Sequence, residues 1–133
     1  WDTDYAAKVA AALNVLKRHD FVALHLEGPD EATHNHDLEH KIYSIERLSA
    51  DVVAPVTEAL RAAGEDFRLL LLSDHTTYMA NGAHGADPVP FVLYDSRVSD
   101  GSGLPYSEAN GAKGPYVDDG AQLMDLLFEL KKL

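Results

Sequence analysis

Three short polar segments carry most of the residues that could do chemistry. The first is Glu27-Gly28-Pro29-Asp30-Glu31-Ala32-Thr33-His34-Asn35-His36-Asp37, the second Ser73-Asp74-His75-Thr76-Thr77, the third Asn81-Gly82-Ala83-His84-Gly85-Ala86-Asp87. Five of the seven histidines (34, 36, 40, 75 and 84) fall in or beside them; His19 and His25 do not. Carboxylate plus neutral imidazole is a ligand set for Mn²⁺, Zn²⁺ or Fe²⁺. Asp30 and His34 are four apart, which puts them on one face if the segment starts a helical turn. Asp74 and His75, at a strand end, can point in divergent directions, so that this dipeptide serves one ion while its neighbours serve another. Two ions side by side suit phosphoryl transfer, because they stabilise attacking and leaving oxygens together. Each motif alone has a plainer reading. Asp-x-x-x-His commonly opens a solvated helix, and a lone His84 in a Gly-rich loop is commonly surface. His36 and His40 read as solvated helix-face residues, and His25 as a core or sheet-edge histidine. The coincidence of three polar segments around strand ends favours metal.

Those segments need elements to position them. Asp2 to Arg18 reads as a helix, with Asp2, Thr3 and Asp4 as N-caps and Ala6, Val9, Ala10, Leu13 and Leu16 at helical spacing. Phe21 to Leu26 is a short apolar run, expected to be a buried strand that ends at Gly28-Pro29-Asp30. A long helix follows, with Asp37 as cap and Leu38, Ile42, Ile45, Val52, Val56 and Leu60 close to one face. Pro55 predicts a kink or break, and Gly64 the end. Phe67 to Leu72 and Val89 to Tyr94 read as further strands. This alternation predicts an α/β fold with a parallel sheet, whose ligands sit beyond the carboxyl ends of the strands. Beyond Tyr94 the run Asp100-Gly101-Ser102-Gly103-Leu104-Pro105 and the later Gly111, Gly114 and Pro115 predict loop, with a short helix near Ser107. A closing helix is expected from about Asp119, with Leu123, Met124, Leu126, Leu127 and Leu130 as core and Lys131 and Lys132 suiting its dipole.

The 133 residues include no cysteine, 22 acidic side chains and 11 basic ones, a formal charge of −11. Disulfide frameworks and thiolate zinc sites are excluded. The charge argues against nucleic acid or an anionic membrane as partner. No apolar run approaches the roughly 18 residues of a membrane span, and no signal peptide is visible, so the expected location is cytoplasmic. The chain opens at Trp1 without an initiator Met.

The order of strand, Pro-Asp-Glu-Ala-x-His, long helix, strand, Asp-His-x-Thr, loop His and Asp-Pro-Val-Pro-Phe strand resembles the alkaline phosphatase superfamily. It looks most like the C-terminal part of the cofactor-independent phosphoglycerate mutases of archaeal type. The likeness runs from Asp2-Thr3-Asp4-Tyr5 through Lys41 to Glu46, Asp87 to Phe91 and Tyr106-Ser107-Glu108 to Gly120 to Met124. It implies part of an alkaline-phosphatase-like three-layer sandwich with a mostly parallel sheet, here truncated. By the same resemblance Asp30, His34 and His84 match three ligands of one metal, and Asp74 and His75 match ligands of a second. The family's ions are usually Mn²⁺, with Zn²⁺ or Mg²⁺ in some members, and there is no organic cofactor. The family interconverts 3-phosphoglycerate and 2-phosphoglycerate through a phosphoserine.

Two positions depart from the pattern: Thr33 stands where a glycine is common, and Ser49 where an aspartate is. None of the seven serines matches the nucleophile. An aspartate ligand, that serine and the substrate-clamping domain are therefore expected in an N-terminal part, which would be this chain's partner together with the phosphoglycerate. Residues 1–133 then read as the C-terminal part of the metal-binding domain. Two other readings stand beside this one: a different branch of the superfamily, such as a phosphatase, phosphopentomutase or phosphodiesterase, and a non-catalytic acidic α/β binding module. The 133-residue chain alone is expected to show no mutase activity; steady conversion of 3- to 2-phosphoglycerate by it would overturn that.

Overall fold

A computed structural model of the chain describes residues 2–99 and 101–129. The expected roles of Leu130, Lys131 and Lys132 in the closing helix, and of Asp100 in the turn-rich loop, lie outside the described residues. The chain divides into two compact units, residues 1–65 with 77–85, and residues 66–76 with 86–133.

The first unit opens with α1 (Tyr5–Leu16), capped by Asp4, whose carboxylate accepts from the Ala7 amide at 2.8 Å. Val9 and Ala12 form its buried stripe. Residues 21–27 then alternate exposed and half-buried, as a strand would, and the His25 carbonyl accepts from Lys8 Nζ at 3.2 Å. Yet this segment belongs to neither sheet among the described residues, so the strand expected at Phe21 to Leu26 is not formed. A short apolar run can lie extended, but only a neighbour's ladder of hydrogen bonds makes it a strand.

The helix α2 (Gly28–His34) starts with Pro29 in its first turn, where a missing N–H costs nothing. Its end is a Schellman turn. The His36 amide donates to the Thr33 carbonyl at 2.9 Å and the Asp37 amide to the Ala32 carbonyl at 2.8 Å. The position that such turns give to glycine is held by His36, at φ 55°. Asp37 then caps α3 (Leu38–Arg47), accepting from the His40 amide at 3.0 Å.

Small residues make the α2–α3 corner. Ala32, Thr33 and Ser44 are all at most 2% exposed. The two hydroxyls are satisfied within their own helices, Thr33 to the Pro29 carbonyl at 2.6 Å and Ser44 to the His40 carbonyl at 2.7 Å. Thr33, the departure from the glycine pattern, is thus accommodated inside the corner. Only part of the apolar stripe is covered: Leu38, Ile42 and Ile45 are each at least half exposed, while Val52 is buried. The packed face of α3 is the one that carries Ser44.

The helical path runs on through Pro55, and the irregularity it carries lies just ahead of the proline. A π-helical turn, Leu48–Val53, precedes it, and α4 (Ala54–Ala62) continues with Pro55 in its first turn. The Ala54 amide reaches back to Ser49, five residues away. The wider turn brings the chain past the point where proline lacks a donor and crowds the preceding carbonyl. Val52 is buried there, and α1 packs against this turn. The helix ends in a second Schellman turn, with Gly64 at φ 72° in the left-handed position.

Two short strands, β2 (Thr76–Thr77) and β3 (His84–Gly85), form one small sheet. The loop 78–83 that joins them is closed by Tyr78 amide to Ala83 carbonyl at 3.0 Å and Gly82 amide to Tyr78 carbonyl at 2.8 Å.

In the second unit, β1 (Arg68–Leu72) pairs with β4 (Phe91–Asp95) from Arg68↔Asp95 to Leu72↔Phe91. The pairing is antiparallel, which corrects the parallel sheet expected from sequence. A parallel return needs a crossover, ordinarily a helix, and no helix lies between Leu72 and Phe91. Asp95, the last residue of β4, takes ion pairs from Arg68 at 3.1 Å and Arg97 at 2.6 Å. Hydrogen bonds from Arg97 hold its carboxyl well below the usual range. Ser107 caps the one-turn α5 (Glu108–Gly111), and α6 (Gln122–Leu127) buries Leu123 and Leu126. Met124, expected in the core, is 39% exposed. Arg68 also donates to the carbonyls of Leu126 and Leu127, tying α6 to β1.

Gly111 sits against Pro90: a Cβ there would lie 2.8 Å from Pro90 Cβ. Gly111→Ala is expected to cost about 1–3 kcal/mol through overpacking. Gly120→Ala meets nothing within 4 Å and should leave stability unchanged. Urea unfolding midpoints of both variants against wild type make the comparison; equal midpoints would contradict it.

Candidate metal centre

The first unit brings three of the five sequence-expected ligands together. Asp30 and His34 lie one turn apart on α2, as their spacing required. His84 opens β3. His34 Nε2 stands 3.0 Å from His84 Nε2. Asp30 Oδ2 is 3.3 Å from His34 Nε2, and Asp30 Oδ1 is 3.4 Å from His84 Nε2. One donor atom from each residue lies within 4.8 Å of the others, and this is the one such group of three among the described residues. The side chains are 35% (Asp30), 45% (His34) and 50% (His84) exposed, so the group opens to solvent.

The donor set is chemically consistent with a divalent ion. Ligands at about 2.1 Å from a common centre stand roughly 3.0–3.4 Å apart in octahedral or tetrahedral arrangements. The two imidazoles meet through Nε2, so each would present that nitrogen's lone pair to a metal held between them. Without metal, one Nε2–H can donate to the other ring's lone pair.

Asp74 and His75 belong to the second unit. The Asp74 carboxylate accepts from the His75 amide at 3.1 Å, and its other oxygen lies 3.6 Å from His75 Nε2. The pair therefore turns inward on itself instead of diverging. Residues 74 and 75 form a bend beyond the end of β1, so strand alternation does not reach them.

Two histidines read as solvated do more than that. His40 Nδ1 lies 2.6 Å from Asp37 Oδ2. His36 Nδ1 lies 3.0 Å from the Met79 carbonyl; a carbonyl only accepts, so Nδ1 carries the proton. His25 is neither core nor sheet edge: its side chain is 67% exposed, with Glu27 Oε1 3.7 Å away. Thr77 was missed as a site residue. Its hydroxyl donates to Asp30 Oδ1 at 2.5 Å, and the one sequence signal for it is its place two residues after His75.

The chain belongs to the metalloenzyme superfamily, which residues 1–128 match. Membership implies an alkaline-phosphatase-like fold and metal-dependent chemistry. Among its relatives, a probable 2,3-bisphosphoglycerate-independent phosphoglycerate mutase of Geobacter sulfurreducens is 40% identical over 130 residues, 96% of this chain and 32% of that protein. The 2,3-bisphosphoglycerate-independent phosphoglycerate mutase of Methanothrix thermoacetophila is 43% identical over 127 residues, 95% of this chain and 32% of the relative. A counterpart in Methanothermobacter thermautotrophicus, designated mutase 2, is 34% identical over 131 residues. The chain spans about a third of the length of these curated relatives. No solved structure matches it. No helix among the described residues is long and apolar enough to cross a membrane.

The Asp37 cap beside the site makes a pH prediction. The His40 amide, then the His40 ring, hold the Asp37 carboxyl below its ordinary value. A carboxyl whose folded pKa is depressed adds stability that is complete above its unfolded value, about 3.9. That stability is lost as pH falls through the folded value. Acidification below about pH 4 should therefore destabilise wild type more steeply than Asp37→Asn. Thermal melts across that range test this; parallel curves would refute it.

Proposed function

We propose that this chain is the metal-binding part of a cofactor-independent phosphoglycerate mutase, serving the interconversion of 3-phosphoglycerate and 2-phosphoglycerate through a phosphoserine. The observation that carries the reading is the convergence of Asp30, His34 and His84. The relatives support it, since the resemblance spans almost the whole chain.

In this reading Asp30, His34 and His84 hold one divalent ion, and Asp74 and His75 contribute to a second. Two imidazole nitrogens in the first set favour Mn²⁺ or Zn²⁺ over Mg²⁺. When bound, such ions supply charge stabilisation for a transferring phosphoryl group and lower the pKa of a coordinated hydroxyl. Asp30 contributes one negative charge to the set. His34 and His84 contribute neutral donors, so the site keeps net positive charge for an anionic substrate once loaded.

The nucleophilic serine and the remaining ligands belong, in this reading, to the rest of a longer polypeptide, because the chain covers about a third of its relatives. That polypeptide is the proposed partner. The exposed stripe of Leu38, Ile42 and Ile45 on α3 is consistent with a surface it would cover.

Calorimetric titration of the 133-residue chain with Mn²⁺ or Zn²⁺ tests the metal assignment. Wild type is expected to take up one ion. Asp30→Ala and His84→Ala should each weaken uptake at least about tenfold, and Asp74→Ala should leave it unchanged. No heat from wild type, or uptake that depends on Asp74 and not on Asp30, would overturn the assignment.

A further inference from the structure

His36 occupies a position that the backbone gives to glycine. The other Schellman turn of the same unit, at the end of α4, follows the rule with Gly64. A histidine at φ 55° is a local penalty, and such outliers persist where the surroundings make use of them. The use is visible here. From that left-handed position the His36 ring reaches the Met79 carbonyl, 43 residues on, at 3.0 Å. Met79 lies in loop 78–83, which leads into β3 and His84. Gly82 of the same loop, at φ 66°, comes so close that a Cβ on it would lie 3.7 Å from the backbone of His34 and from the His36 ring. The loop that delivers His84 is thus held against the end of the helix that delivers His34.

A second tie acts from the other side of the loop. Thr77, in β2, donates its hydroxyl to Asp30 Oδ1. Its own carbonyl accepts from Lys41 Nζ at 3.2 Å, which holds β2 to α3. One end of the β2–β3 hairpin therefore fixes the carboxylate, and the loop fixes the approach of the second imidazole.

We propose that His36 and Thr77 are positioning residues for the Asp30–His34–His84 donor set, acting as a two-point clamp between α2 and the hairpin. This rests on the reading of those three residues as metal donors. The clamp itself exists without metal: it sets the 3.0 Å approach of the two Nε2 atoms. Neither residue touches the proposed ion. Each removes freedom from a donor that is a third to a half exposed and would otherwise rotate in solvent. Outer partners of this kind typically change metal affinity by about 10–100-fold.

Four variants of the full chain separate this from a merely structural role. His36→Gly suits the backbone and removes the ring, whereas His36→Asn tolerates positive φ and keeps an N–H close to the place of Nδ1. Thr77→Val removes the hydroxyl at constant shape; Thr77→Ser restores it. Two readouts apply to each: the proton contact between the His34 and His84 rings in metal-free chain by NMR, and Co²⁺ affinity by its visible absorption. His36→Gly and Thr77→Val are expected to lose the ring contact and weaken Co²⁺ about tenfold or more. His36→Asn and Thr77→Ser should keep the contact and stay within about threefold of wild type. Unchanged contact and affinity in the first pair, or equal loss in both pairs, overturns the clamp. If wild type takes up no Co²⁺, the metal assignment fails, and the metal-free ring contact alone decides the clamp.

Discussion

Two backbone hydrogen bonds at one corner govern the first unit. They run from the amides of His36 and Asp37 to the carbonyls of Thr33 and Ala32. They end α2 within two residues and reverse the chain so that Asp37 can cap α3 at once. Everything polar in the corner depends on that turn. It buries Thr33 and Ser44 with their hydroxyls already satisfied, so neither is left unpaired in the corner. It also leaves Asp30 and His34 on the outer face of α2, where His84 can meet them.

Local chemistry was legible in the sequence; long-range pairing was not. The caps at Asp4 and Asp37 follow from residue type at a helix start. The i, i+4 spacing of Asp30 and His34 placed them on one helical face, and Gly64 marked its helix end. The strand at Phe21 to Leu26 was legible as an extended segment and no further, because a short apolar run says nothing about what lies alongside. The parallel sheet failed for a related reason. The patterns suggested helix and strand in alternation, but the connection from Leu72 to Phe91 contains no helix, and Gly82, Gly85, Pro88 and Pro90 were the available clue.

The α3 face shows where periodicity misleads. Leu38, Ile42 and Ile45 form a regular apolar stripe, yet the face packed in this chain carries Ser44. Packing against small residues is decided by backbone approach as well as hydrophobicity, and a serine that bonds its own helix is sterically a small residue. The candidate site splits the same way. Asp30, His34 and His84 could be named from residue type. Thr77 and His36 could not, because their partners lie 47 and 43 residues away and a hydroxyl or an imidazole at those positions has many ordinary explanations.

The π turn at Leu48–Val53 bears on how the long helix comes apart. An α-helix usually frays from its ends, where hydrogen bonds are incomplete. Here the middle also has widened bonding, as from Ala54 to Ser49, and no amide hydrogen at Pro55. Residues 38–62 therefore run as one helical path whose hydrogen bonding is weakened in the middle. Opening of the long helix therefore has a place to begin away from its ends, at the turn on which α1 packs.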